Sequence, residues 1–176
     1  MLTTLRRLAN WPVLNLLIIG MLYCMFFWFP DYDQQAQAIA EKEVPILDTR
    51  WNYDLLAVTT LFTDLGEEGQ QIYEEVLSFP DRIYPIVYGL LFFLWLIRLT
   101  RNRPVAWSLL ALVPLAAVGF DYWENTQILA MLSGGNTLTK AMVAQALVAT
   151  RLKWIMVGCS VFLIAGLSVL HWWEQR

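Results

Sequence analysis

The chain has 176 residues, of which 58% are hydrophobic and 15% charged, with a mean hydropathy of +0.49 and a formal net charge of −3. A composition this apolar, carried in long runs, excludes an ordinary soluble domain, and the small negative charge excludes the basic footprint of a nucleic-acid partner. Nine tryptophans suit bilayer boundaries, and Cys24 and Cys159 lie in apolar runs without metal or redox spacing, so both read as structural free thiols.

Arg6 and Arg7 precede Val13 to Phe29, an apolar run broken only by Asn15 and closed by Pro30. Ala36-Gln37-Ala38 has the small-x-small look of a signal-peptide cleavage site. The run is longer and more aromatic than an ordinary signal core, so a first transmembrane helix over about residues 12–29 is expected. Residues 31–82 then hold twelve acids and three bases, a block that cannot cross a bilayer. The segment 31–79 is therefore expected to be solvated and helical, an extracytoplasmic cap. Asn52 is placed to cap a helix carrying Leu55, Leu56, Thr59, Phe62 and Leu65 and ended by Gly66. Glu67 and Glu68 suit the start of a second helix through Ile72, Tyr73, Val76 and Leu77. Such a cap either packs over the bundle or offers a surface to a protein partner or a membrane.

Ser78-Phe79-Pro80 reads as a helix entry with Ser78 as cap, and a second span is expected over residues 80–99. Pro85 within it should kink the helix and open backbone near Asp81 and Arg82. Arg98, Arg101 and Arg103 mark the following turn as cytoplasmic, together with Arg6 and Arg7. A third span over about 105–132 contains Pro114, a second candidate kink. Gly134-Gly135 breaks it, and Thr137 or Thr139 starts a fourth over about 138–172. The expected fold is one all-α domain over residues 1–176: a polytopic cell-membrane protein with four transmembrane helices, a helical extracytoplasmic cap and both termini cytoplasmic.

The chemistry centres on Phe120-Asp121-Tyr122-Trp123-Glu124-Asn125, which interrupts an apolar helix. Asp121, Glu124 and Asn125 stand at i, i+3 and i+4 and share a face. At 1.5 Å per residue Asp121 lies about 24 Å beyond Val105, Asp81 about 25 Å from Arg98, and Arg151 about 31 Å from Trp172. In a core of roughly 30 Å these depths coincide near the outer boundary. Asp121 and Glu124 are candidate acid or base groups; Asp81, Arg82, Asn125, Arg151 and Lys153 are candidate ligand-binding groups.

One reading of this layer is an ion-pair network that holds helix ends together. A second is an outer-leaflet pocket in which carboxylates act as acid or base and cations hold an anionic head group; a carboxylate-only metal site is a third. His171 falls on the opposite side, which argues against haem, zinc and a Ser-His-Asp triad, and no glycine-rich phosphate loop is present. No cofactor or metal is expected. In general layout, four helices with acidic groups near one end, the chain resembles membrane sterol isomerases; no motif transfers residue by residue. Three functions follow: binding or acting on a membrane lipid or other amphiphile, serving as an accessory or scaffold subunit that meets a partner through its acidic cap, and, last, transport. The inner halves of the later spans are too apolar for a polar transport path.

Overall fold

A computed structural model describes residues 2–41, 46–134, 137–174 and 176, and among the described residues all regular structure is helical. A short α1 (Leu2–Leu8) leads to α2 (Trp11–Tyr23), which Asn10 caps by accepting from the Val13 N–H at 3.1 Å. Pro30 does not close this first rod. A π-helical turn over Cys24–Trp28 widens the backbone ahead of the proline, which lacks an N–H, and α3 (Phe29–Ala40) continues the rod. The small-x-small triplet at Ala36 lies within α3.

After a tight turn at Leu47–Thr49 comes α4 (Leu55–Ser78). Its cap is Asp54, whose side chain accepts from the Ala57 N–H at 2.9 Å, and not Asn52. Asn52 instead takes a hydrogen bond from Arg151. Gly66 breaks α4 with φ 61 and ψ −172, a backbone state open almost only to glycine. α5 (Pro80–Leu99) follows at once. Ser78 is the last residue of α4 rather than a cap; Phe79 makes the corner at φ −131, ψ −71, and Pro80 opens α5 without side-chain capping.

A 3-10 turn over Val105–Ala111 precedes α6 (Leu112–Ser133). Pro114 thereby falls in the first turn of α6, where no intrahelical N–H bond is required, so the reason to expect a kink there disappears. α7 (Lys140–Glu174) is one unbroken helix, and Thr139 accepts from the Met142 N–H at 3.3 Å at its start. Gly135, the second half of the expected glycine turn, lies outside the described residues, as do Lys42 and Glu43 of the acidic block.

Four helical rods are long and apolar enough to cross a membrane: Trp11–Ala40, Leu55–Leu99, Val105–Ser133 and Lys140–Glu174. Their outward faces carry large apolar side chains, Phe162 being 80% exposed, as suits lipid contact. α6 packs along α7 and against α5; α2 lies on α5, and α3 on α4. Gly89 lets α5 and α6 approach closely, since a Cβ there would meet Val118 Cγ2 at 2.3 Å.

The buried apolar residues form two clusters. One gathers Leu61, Leu65, Tyr73, Leu77, Ile128, Met131, Val143 and Ala146. The other gathers Leu14, Leu91, Leu94, Ile97, Ala111 and Leu167. Along α6 and α7 the buried charged residues fall between these clusters, and Asp81 falls between Leu77 at the end of α4 and Leu91 on α5. The far end of the second cluster is basic and aromatic. Arg98 lies over Trp11 at 4.7 Å, Arg103 over Trp107 at 5.6 Å and Arg176 over Trp172 at 3.8 Å, and Arg103 pairs with Glu174 at 2.5 Å.

Candidate functional site

Three helices deliver the polar layer. α6 presents Asp121, Glu124 and Asn125, all buried on one face. α5 presents Asp81 in its first turn, and α7 presents Thr150 and Lys153. A buried charge needs a partner, and the layer meets that need unevenly.

Glu124 and Lys153 form a buried ion pair. The Thr150 hydroxyl donates its one proton to Glu124 Oε1 at 2.5 Å and stands 3.2 Å from the Tyr53 hydroxyl, which donates to it. This chain ties α6 to α7 and to the loop ahead of α4. Burial pushes the Tyr53 phenol up to about 12, so it stays protonated as a donor.

Pro85 has a second consequence. The residue four positions before it is Asp81, whose carbonyl loses its helical N–H partner. Asn125 fills the gap: its Nδ2 donates to the Asp81 carbonyl at 3.0 Å. The Tyr122 hydroxyl donates to the Arg82 carbonyl at 2.7 Å. The backbone that Pro85 opens is therefore closed from α6, and Asn125 is committed to α5.

The remaining carboxylates face a cavity of about 300 Å³. Its walls are mostly apolar: Met21, Met25 and Phe29 from the first rod, Leu65, Ile72 and Val76 from α4, Phe92 from α5, Trp154 and Val157 from α7. Asp33, Asp48, Asp81, Asp121 and Lys153 line it as well, with Tyr32, Tyr73, Tyr84 and Tyr88. Asp121 Oδ2 accepts from the Tyr88 hydroxyl at 2.8 Å, and the Tyr84 and Tyr88 rings meet edge to face at 5.3 Å. Asp48 comes from the loop, and burial raises its carboxyl above the usual carboxylate range while the Lys153 charge acts in the opposite sense. Among the described residues, Asp48 Oδ1, Asp81 Oδ2 and Asp121 Oδ1 are buried without a hydrogen-bond partner.

The seven residues singled out in the sequence thus divide. Asp81, Asp121 and Lys153 line the cavity, and Glu124 stands behind Lys153 as its counter-charge. Asn125 serves the backbone. Arg151 turns from the acids to the loop, donating to the Trp51 carbonyl at 3.2 Å and to Asn52 Oδ1 at 3.1 Å. The Arg82 side chain is exposed. Among the described residues no group of three or more His, Cys, Asp or Glu is arranged to hold a metal ion.

Tyr84 and Tyr88 are functional residues beyond those seven; they follow Asp81 by three and seven residues and so share its face, a signal visible in the sequence. Thr150 lies three residues before Lys153 and carries the same signal. Asp33 and Asp48 carry none: one lies on a continuation of the first helix that Pro30 masked, the other in a loop.

No protein-family model matches the chain, and no curated protein or solved structure matches it significantly.

Proposed function

We propose that the protein is a multi-pass cell-membrane protein whose cavity, near the outer leaflet, binds or acts on a lipid-like amphiphile. The observation that carries this reading is the cavity itself. Apolar side chains from three rods make up most of its lining, and Asp33, Asp48, Asp81, Asp121 and Lys153 line it as well, a combination that suits a chain with a polar head. What supports the orientation is the end holding Arg6, Arg7, Arg98, Arg101 and Arg103, which the positive-inside rule assigns to the cytoplasm. In that orientation the cavity, lined by Leu65, Ile72 and Val76 of α4, lies toward the other face, and the acids of α4 form the cap. Asp81 and Asp121 are the helix-borne groups placed to exchange a proton with a ligand, since both line the cavity and each holds one oxygen without a partner.

Mass spectrometry of material copurified from the native membrane tests the reading. The protein is expected to release one chain amphiphile enriched over bulk lipid, and Ile72→Trp, which fills the cavity, is expected to lose it. The same bulk lipids in both samples would refute the proposal and favour an accessory subunit that meets its partner through the exposed Glu67, Glu68 and Glu74.

A further inference from the structure

The charges around the cavity do not balance. Asp33 from α3, Asp48 from the loop, Asp81 from α5 and Asp121 from α6 all line it, and among the described residues Lys153 is the one cation that does. Lys153 is already ion-paired with Glu124. Asp121 is 3% exposed and Asp81 6% exposed, and each keeps one carboxylate oxygen without a partner, Asp121 Oδ1 and Asp81 Oδ2. Unsatisfied buried acceptors of this kind are costly in an empty site and select for a ligand that brings donors.

The chemistry of head groups can be taken in turn. A phosphate or carboxylate head would set a second negative charge against the unpaired oxygens. An alcohol brings one O–H and no charge. A quaternary ammonium brings charge but no N–H. A primary or secondary ammonium brings positive charge and two or three N–H donors, which match two acceptors that are already in place. The Tyr84 and Tyr88 rings line the same cavity and offer further attraction to a cation.

We propose that the head group received here is a protonated primary or secondary amine, so that the amphiphile is a long-chain ammonium compound. This reverses the sequence expectation of an anionic head held by Arg and Lys: Arg82 and Arg151 do not line the cavity, and Lys153 is spoken for. The inference rests on the amphiphile reading above.

The test uses the full chain in phosphatidylcholine nanodiscs and a series of saturated single-chain probes that differ only in head group: amine, trimethylammonium, alcohol and carboxylate. Binding is followed by the shift in melting temperature across a titration. The amine is expected to bind about tenfold or more tightly than each of the others, a difference of about 1.4 kcal/mol. Asp81→Asn and Asp121→Asn are each expected to weaken amine binding about tenfold and to leave alcohol binding unchanged. Val157→Trp, which fills the apolar part and keeps every carboxylate, is expected to abolish binding of all four probes. Preference for the carboxylate overturns the head-group assignment. Preference for the alcohol does so too, because the carboxyls would then be donating as neutral acids. Equal binding of all four heads overturns it while the amphiphile reading stands. Failure of every probe to bind, or binding that survives Val157→Trp, overturns both. The ranking in the unmodified protein decides the matter even where an Asp→Asn variant does not fold.

Discussion

Replacing Asn125 by leucine tests whether α6 repairs the backbone that Pro85 opens. The Nδ2 donor lies 3.0 Å from the Asp81 carbonyl, and both are buried. Leucine is close in size, so the change removes the hydrogen bond and little packing. A buried carbonyl left without a partner costs about 1–3 kcal/mol. The lower half of that range is expected, because the unpartnered Asn125 Oδ1 leaves with the side chain. The decisive measurement is a double-mutant cycle with Pro85→Ala, by equilibrium unfolding of the purified protein in mild detergent. Alanine restores an N–H four residues after Asp81 and so offers the same carbonyl a helical partner. In the Pro85→Ala background Asn125→Leu is expected to cost at least about 1 kcal/mol less than in the unmodified protein, a coupling of the size seen between groups sharing one partner. Strict additivity would refute the repair and leave Asn125 as a packing residue or a free ligand contact.

Three further outcomes follow from the geometry. Gly66→Ala is expected to destabilise the protein by about 1–3 kcal/mol in the same assay from backbone strain alone, since φ is 61 and no atom lies within 4 Å of an added Cβ; an unchanged unfolding midpoint would mean that the kink is not required. Lys153→Met leaves Glu124 buried without its cation and is expected to cost about 3–5 kcal/mol, most of it recovered by adding Glu124→Gln; a loss below about 1 kcal/mol would show that the pair is not buried in the folded protein. The raised Asp48 carboxyl gives a pH dependence of definite sign. Its folded value lies above its unfolded one, so its stabilising contribution is complete below the usual carboxylate range and is lost as pH rises through the folded value, by at most about 1.4 kcal/mol per pH unit. Asp48→Asn is therefore expected to melt with or above the unmodified protein at neutral pH, with the difference vanishing in acid; a variant that gains in acid and loses at neutrality would reverse the assignment.

The rods were legible because apolar runs of span length, proline and glycine are one-dimensional signals. Gly66 is the clearest case: it separates two stretches of helical periodicity and takes a backbone angle open almost only to glycine. Pro30 and Ser78 misled for a shared reason. Each was judged by local preference, but a π turn absorbs the proline, and a direct corner at Phe79 removes the need for a cap. Helical spacing and a depth count brought Asp81, Asp121, Glu124 and Lys153 to one level. What they could not supply was the pairing, because which cation meets which acid depends on the rotation of α7 about its axis. That rotation turns Lys153 inward to Glu124 and sends Arg151 to the loop.

The same rotation bears on whether the polar layer is structural or functional, two readings that the sequence set as alternatives. Glu124, Lys153, Thr150 and Tyr53 are mutually satisfied and join three elements, and Asn125 mends the backbone at Pro85; these groups have little freedom to meet a ligand without undoing the bundle. Asp81 and Asp121 are different: each keeps an oxygen unpartnered, and both line the cavity. A network built only for stability has no reason to keep two carboxylates, each with an unpartnered oxygen, at the wall of an apolar cavity, since a carboxamide at either position would carry no charge to bury. Stability thus accounts for the α6–α7 half of the layer and leaves the α5–α6 carboxylates over. It is there that substitution is expected to alter binding more than folding.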